Sequence, residues 1–140
     1  MTRLRLLAAA ALLALFIGCA AVQPGADPLV VRTEQTESIA FSTFNLVVHV
    51  DDANRPFFMT NAPAFHQFAE WLRAPQMVMQ SPTNTITLPR GAAMLWSLDA
   101  TKRAYISSKT YSNSLVSAVA TVEHALAEAQ MWLTTTSTNH

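Results

Sequence analysis

Cysteine, glycine and charge are scarce in this sequence, and each shortage excludes a class of site. The single cysteine among 140 residues excludes an intramolecular disulfide. Beyond residue 18 only Gly25 and Gly91 remain, too few for the usual glycine-rich phosphate loop or dinucleotide fingerprint. Neither G-x-S-x-G nor S-x-x-K occurs, so the common sequence marks of serine acyl transfer are also missing.

Charged residues make up 13% of the chain, and no run of one sign stands out. Nine basic residues balance nine acidic ones, and seven scattered basic residues remain once Arg3 and Arg5 are set aside. Without a basic patch to neutralise phosphates, nucleic acid is not an expected partner. The apolar fraction of 51% predicts instead a chain that folds around one core.

The amino-terminal segment has the three parts of a secretory signal. A basic start, Met1 to Arg5, precedes an apolar run of twelve residues, Leu6 to Ile17, and the small residue Gly18. As a helix this run rises about 18 Å, against roughly 30 Å for a bilayer core, so it is too short for a permanent span. We expect residues 1–18 to be a signal peptide.

The stretch Leu15-Phe16-Ile17-Gly18-Cys19 at the end of this run resembles the lipobox of bacterial lipoproteins. The resemblance implies cleavage before Cys19 and acylation of its thiol, and two or three acyl chains make membrane attachment stable. It also implies the periplasmic face of the outer membrane rather than the inner membrane, because Ala20 and not aspartate follows the cysteine. Residues 19–27, with Pro24 and Gly25, read as a tether.

The remaining chain predicts an all-α fold, a small up-and-down bundle of three to four helices within residues 28–134. Apolar residues recur at helical spacing in four segments. These begin near Pro28, near Pro63 after a cap at Asn61, near Pro89, and before Leu115. On the first helix the predicted core stripe is Ala40, Phe41, Phe44, Val47 and Val48.

Two segments depart from the helical pattern. Residues 77–88 contain turn formers followed by alternating residues, which favours an irregular excursion or a small hairpin. Residues 135–140 are polar, and we expect them to form a flexible tail.

Four residues are candidate metal ligands. His66 and Glu70 lie four apart on the predicted second helix and share a face, while His49 and His124 lie on the first and fourth helices. The Glu-x-x-His pattern of di-iron bundles does not occur, so no cofactor is expected and ordinary polar side chains are the simpler interpretation. A hydrolase accessory role would require carboxylates such as Asp51 and Glu70 to face each other across a cleft.

Aromatic and methionine residues around the irregular segment predict a partner surface. Its members are Trp71, Met77, Met79 and Trp96. Methionine suits adaptable interfaces, and irregular segments often carry function. Burial of the same residues in the core is the alternative.

A second resemblance is carried by the run Asp27 to Thr36, the later Phe41 to Phe44, and Asn54-Arg55. These residues are similar to small helical proteins encoded in tailed-phage and prophage genomes. The resemblance supplies no catalytic residues and implies an accessory protein at the host envelope. Together the sequence observations predict a non-enzymatic lipoprotein that binds an envelope or phage protein, with a metal- or small-ligand-binding bundle and an envelope hydrolase accessory as alternatives.

Overall fold

The computed structural model describes residues 24–80 and 82–138, and for residues 77–80 it describes the backbone alone. The described chain is mostly helical and contains one two-stranded sheet. Its elements are α1 (Pro28–Ala53), α2 (Arg55–Asn61), α3 (Pro63–Arg73), β1 (Pro75–Gln80), β2 (Thr85–Pro89), α4 (Arg90–Ser108) and α5 (Ser112–Thr138). The predicted signal peptide and Cys19 lie outside the described residues, as do residues 139–140.

Helix α1 begins as its sequence predicts. The Asp27 carboxylate accepts a hydrogen bond from the Leu29 amide at 3.0 Å, and Pro28 occupies the first turn, where a missing N–H costs nothing. The side chain of Asp27 also accepts from the Tyr105 hydroxyl and the Lys109 ammonium group, both at 2.8 Å. One carboxylate therefore fixes the start of α1 to the end of α4.

The buried face of α1 differs from the predicted stripe because half of it is polar. The buried residues, spaced three or four positions apart, are Thr33, Thr36, Ala40, Phe44, Val47 and Asp51. Phe41, which the apolar pattern placed on the stripe, is exposed. The Thr33 hydroxyl donates to the Leu29 carbonyl at 2.7 Å, which satisfies a buried polar group without a partner helix.

Five helices form in the described residues, where the sequence predicted three to four, because Pro56 starts a helix as well as ending one. Pro56 occupies the first turn of the short helix α2, a position that proline favours. Asn61 does not cap the next helix as predicted. It is the last residue of α2, its side-chain amide donates to the Phe57 carbonyl at 3.0 Å, and Ala62 occupies the N-cap of α3.

The predicted excursion at 77–88 is an antiparallel hairpin of β1 and β2. Pro75 pairs with Pro89 and Gln80 with Thr85, and the register shifts between Met77 and Met79, which makes Val78 a bulge. The amide of Arg90 donates to the Ala74 carbonyl at 2.8 Å and closes the base of the hairpin.

The core lies where α1, α3, α4 and α5 meet, and α2 adds the ring of Phe58. Its buried apolar residues are Ala40, Phe44, Val47, Phe58, Phe65, Phe68, Ala69, Leu72, Leu98, Leu115, Val119, Val122, Ala125, Leu126 and Ala129. Helix α5 continues through Thr138, and Thr136 is buried, so the predicted domain boundary at residue 134 falls inside a helix.

Candidate functional site

A fully buried carboxylate, Asp51, lies at the centre of the largest polar cluster described here. It belongs to the last turn of α1 and faces α3. Its Oδ2 accepts a hydrogen bond from Arg73 Nη1 at 2.8 Å, and its Oδ1 lies 2.9 Å from His66 Nδ1. Because an ionised carboxylate only accepts, His66 donates through Nδ1 and keeps Nε2 for another partner.

Helix α3 presents three residues of the cluster on one face. His66, Glu70 and Arg73 follow at spacings of four and three, which places them one above another toward α1. The sequence predicted that His66 and Glu70 share this face, but it did not identify Arg73. The sequence did contain a signal for Arg73, because it lies three residues after Glu70 and seven after His66 and therefore shares their face of the helix.

Arg73 joins all the carboxylates of the cluster. Its Nη1 also donates to Glu70 Oε1 at 2.7 Å, and its Nη2 donates to Asp52 Oδ1 at 2.6 Å and to the Val48 carbonyl at 3.1 Å. Burial by itself lowers the pKa of Arg73, but the hydrogen bond to Asp51 and the charges of the carboxylates offset this and raise the pKa above its ordinary value. The guanidinium therefore stays charged and compensates the buried Asp51.

The outer rim of the cluster is exposed. Arg55, at the start of α2, donates to Asp52 at 3.3 Å and to Glu70 at 3.2 Å. These contacts are open to solvent, so each contributes little to stability. They extend the network from one buried pair to five charged residues, namely Asp51, Asp52, Arg55, Glu70 and Arg73.

The structure brings together two of the four predicted metal ligands. Ligand atoms of Asp51, His66 and Glu70 lie within 4.8 Å of one another, and among residues 24–80 and 82–138 this is the only group of three potential ligands so close. Mixed nitrogen and oxygen donors of this kind suit zinc and other transition metals. Arg73 Nη1 already donates to both carboxylates, however, so a cation would have to displace a guanidinium.

His49 and His124 are exposed and do not join this cluster. Glu123, beside His124, accepts two hydrogen bonds from Arg32, at 2.8 and 2.6 Å. This bidentate pair lowers the pKa of Glu123 and ties α5 to α1. Asp51 and Glu70, the carboxylates that a hydrolase accessory role would require, both accept a hydrogen bond from Arg73 Nη1.

The structure describes the side chains of two of the four predicted partner-surface residues, Trp71 and Trp96. Trp71 is 37% exposed, its ring stacks on Phe68 at 5.6 Å between centroids, and the Arg90 guanidinium lies 4.9 Å from its ring centre. Trp96 is exposed on α4. The side chains of Met77 and Met79 lie outside the described part of the chain, although their backbone belongs to β1, which follows α3 directly.

A pocket of about 440 Å³ lies between the junction of α2 with α3 and the last turns of α5. Its lining includes three aromatic residues, Phe57, Phe65 and Trp132, and two residues with a hydroxyl group, Thr135 and Thr136. None of the lining residues is charged. Sequence reasoning missed this site because Thr136 belongs to the polar segment that was assigned to a tail.

Comparison with known proteins identifies no relative of this chain: no protein-family model, curated protein or solved structure matches it. Among the described helices, none combines the length and the apolar character that crossing a bilayer requires.

Proposed function

We propose that this protein is a membrane-anchored lipoprotein of the bacterial envelope whose helical bundle is a non-enzymatic binding module. The observation that carries the proposal is the lipobox-like sequence Leu15 to Cys19 at the end of a twelve-residue apolar run. Nine residues from Cys19 to Asp27 lead to the cap of α1, where the folded domain begins. This order of signal, acyl acceptor, short tether and domain suits a protein that acts by contact near a membrane surface.

The polar cluster around Asp51 supports a structural rather than a catalytic role for its residues. Each carboxylate in it accepts a hydrogen bond from Arg73. A buried charge that is matched in this way fixes how α1 and α3 pack. The network therefore stabilises the end of the domain at which the hairpin begins.

Trp71 is the side chain best placed to contact a partner protein. It lies at the end of α3 beside the hairpin, is held by Phe68 and Arg90, and keeps part of its ring accessible. A tryptophan that is already fixed loses little side-chain entropy on binding, and tryptophan is enriched among residues that dominate binding energy. The phage-like and lipobox-like sequences favour an envelope or phage protein at the outer membrane as that partner.

Photo-cross-linking in intact cells tests this proposal. A photoreactive amino acid at Gln76, an exposed residue in β1 near Trp71, should give a discrete adduct with an envelope or phage protein. The adduct should weaken with Trp71→Ala and persist with Phe41→Ala, the matched change of an exposed aromatic residue on α1. No adduct, or equal adducts in both variants, would contradict the proposal.

Metal binding is the second candidate function, and the proximity of Asp51, His66 and Glu70 favours it. If it is correct, zinc should raise the melting temperature of the wild type, because a ligand of the native state alone must stabilise it. The His66→Gln variant should lose the effect and His124→Gln should keep it. An unchanged melting temperature with zinc, copper and iron would remove this candidate.

A further inference from the structure

The start of α3 leaves two backbone donors unused at the wall of the pocket. Pro63 has no N–H, and the first main-chain bond of the helix runs from the His66 amide to the Ala62 carbonyl at 3.2 Å. Ala62, at the N-cap, provides no side-chain acceptor. The amides of Ala64 and Phe65 therefore lack a partner among the described residues, and both residues line the pocket.

A third donor lies on the opposite wall. Thr136 is only 7% exposed and lines the same pocket. The neighbouring hydroxyls of Thr134 and Thr135 donate to the carbonyls four residues before them, at 2.8 and 2.9 Å. Among the described residues the only fully buried side-chain polar atom without a partner is Glu37 Oε1, so the unpaired Thr136 hydroxyl is accessible to solvent. Thr136, a residue that is nine-tenths buried overall, therefore brings an unpaired and accessible hydroxyl to the lining of the pocket.

The chemistry of the pocket selects a class of ligand. Two helix amides and one hydroxyl all donate, and the amino-terminal end of α3 carries a partial positive charge of about half an elementary charge. Such an arrangement suits the two oxygens of one carboxylate. The walls of Phe57, Phe65 and Trp132 suit an aromatic or compact apolar group, and about 440 Å³ is within the range of small-molecule sites.

We propose that the pocket between the α2 to α3 junction and the end of α5 binds a small aromatic monocarboxylate. Its carboxylate receives hydrogen bonds from the amides of Ala64 and Phe65 and from the Thr136 hydroxyl, and its ring lies against Trp132. This inference goes beyond the proposed partner binding, because Trp71 and the hairpin are not part of the pocket. Either proposal can fail while the other stands.

Nuclear magnetic resonance titration of the folded protein tests the site directly. Phenylacetate is the probe, and 2-phenylethanol, which has the same carbon skeleton with an alcohol in place of the carboxylate, is the matched control. Phenylacetate should shift the amide resonances of Ala64 and Phe65 in a saturable manner at millimolar concentrations. The alcohol should bind roughly tenfold more weakly, because hydrogen bonds to charged groups are the stronger ones.

Two threonine variants separate the proposed contact from general effects on α5. Thr136→Val keeps the side-chain shape and removes the donor, so the dissociation constant for phenylacetate should rise roughly tenfold. Thr134→Val is the control, because its hydroxyl is already bonded to the Gln130 carbonyl and Thr134 does not line the pocket. Circular dichroism establishes that both variants are folded.

Three outcomes would overturn the assignment. The first is the absence of saturable shifts at Ala64 and Phe65 with the wild-type protein. The second is equal affinity for phenylacetate and 2-phenylethanol, which would indicate a purely apolar cavity. The third is an equal effect of the two threonine variants, which would show that the Thr136 hydroxyl does not contact the ligand.

Discussion

Replacement of Asp51 by asparagine tests whether the buried network holds α1 against α3. The change keeps the shape of the side chain and removes its charge, which leaves Arg73 without its buried counter-charge. Asparagine can still accept from Arg73 through its oxygen, and His66 can change tautomer to meet the new amide. The main loss is therefore the charge interaction across the 2.8 Å contact.

The size of the effect follows from the burial of the two partners. Breaking a fully buried ion pair costs about 3 to 5 kcal/mol. Asp51 is completely buried, but Arg73 is 21% exposed and keeps its contacts with Asp52 and Glu70. We therefore expect Asp51→Asn to lower the free energy of unfolding by about 2 to 3 kcal/mol, and the melting temperature by roughly 8 °C.

Asp52→Asn is the matched control in this measurement. Asp52 contacts the same guanidinium at 2.6 Å but is 52% exposed, so its removal should cost under about 1 kcal/mol. Urea unfolding of the wild type and both variants gives the comparison. Equal losses for Asp51→Asn and Asp52→Asn, or no loss for Asp51→Asn, would refute the claim that burial makes the inner contact important.

Two further predictions concern the ends of α4. The hydrogen bonds from Lys109 and then Tyr105 lower the pKa of Asp27 from 3.8 to about 2. A carboxyl group whose pKa is lowered in the folded state stabilises the fold at pH values above its ordinary pKa. The free energy of unfolding should therefore fall as the pH drops from about 4 toward 2. The Asp27→Asn variant, which can still cap α1, should flatten this pH dependence in urea unfolding. Gly91→Ala should raise the free energy of unfolding by about 0.5 to 1 kcal/mol, and with it the melting temperature, because alanine is the better helix former. The new methyl group has room, since it would meet Leu72 Cδ2 at 3.4 Å and Phe44 Cδ2 at 3.5 Å, which are ordinary contact distances. A melting temperature lowered by Gly91→Ala would mean that α3 and α4 are packed too closely for a methyl group.

The helical class of the fold could be predicted from spacing and caps. Asp27 followed by Pro28 predicted the start of α1, and the regular apolar spacing from Leu115 onward predicted α5. Both signals are local, since they depend on backbone groups and on one amphipathic face. The hairpin was one of two interpretations left open for residues 77–88, because turn formers favour an excursion without specifying its pairing.

The short helix α2 and the polar part of the buried face could not be predicted in the same way. Pro56 has the same sequence signal whether it ends one helix or begins the next, and the outcome depends on Phe58 packing against Phe65 at 4.7 Å between ring centroids. Thr36 is buried because it faces Glu123, which lies 87 positions later in the chain. Tertiary partners of this kind leave no periodic apolar pattern.

The same limit applies to the candidate sites. His66 and Glu70 could be assigned to one face from their spacing, but their partners could not: His66 contacts Asp51 directly, and Arg73 joins Glu70 to Asp51. The pocket depends on the approach of Thr136 to the start of α3. No local sequence signal specifies that approach.

Metabolic labelling with radioactive palmitate tests whether Cys19 carries a lipid anchor. The wild type and Cys19→Ala are compared after membrane fractionation, and the Asp51→Asn variant controls for changes in stability. We expect label and membrane retention in the wild type and in Asp51→Asn, and loss of both in Cys19→Ala. A wild-type protein without label, or a Cys19→Ala protein that keeps the label, would contradict it.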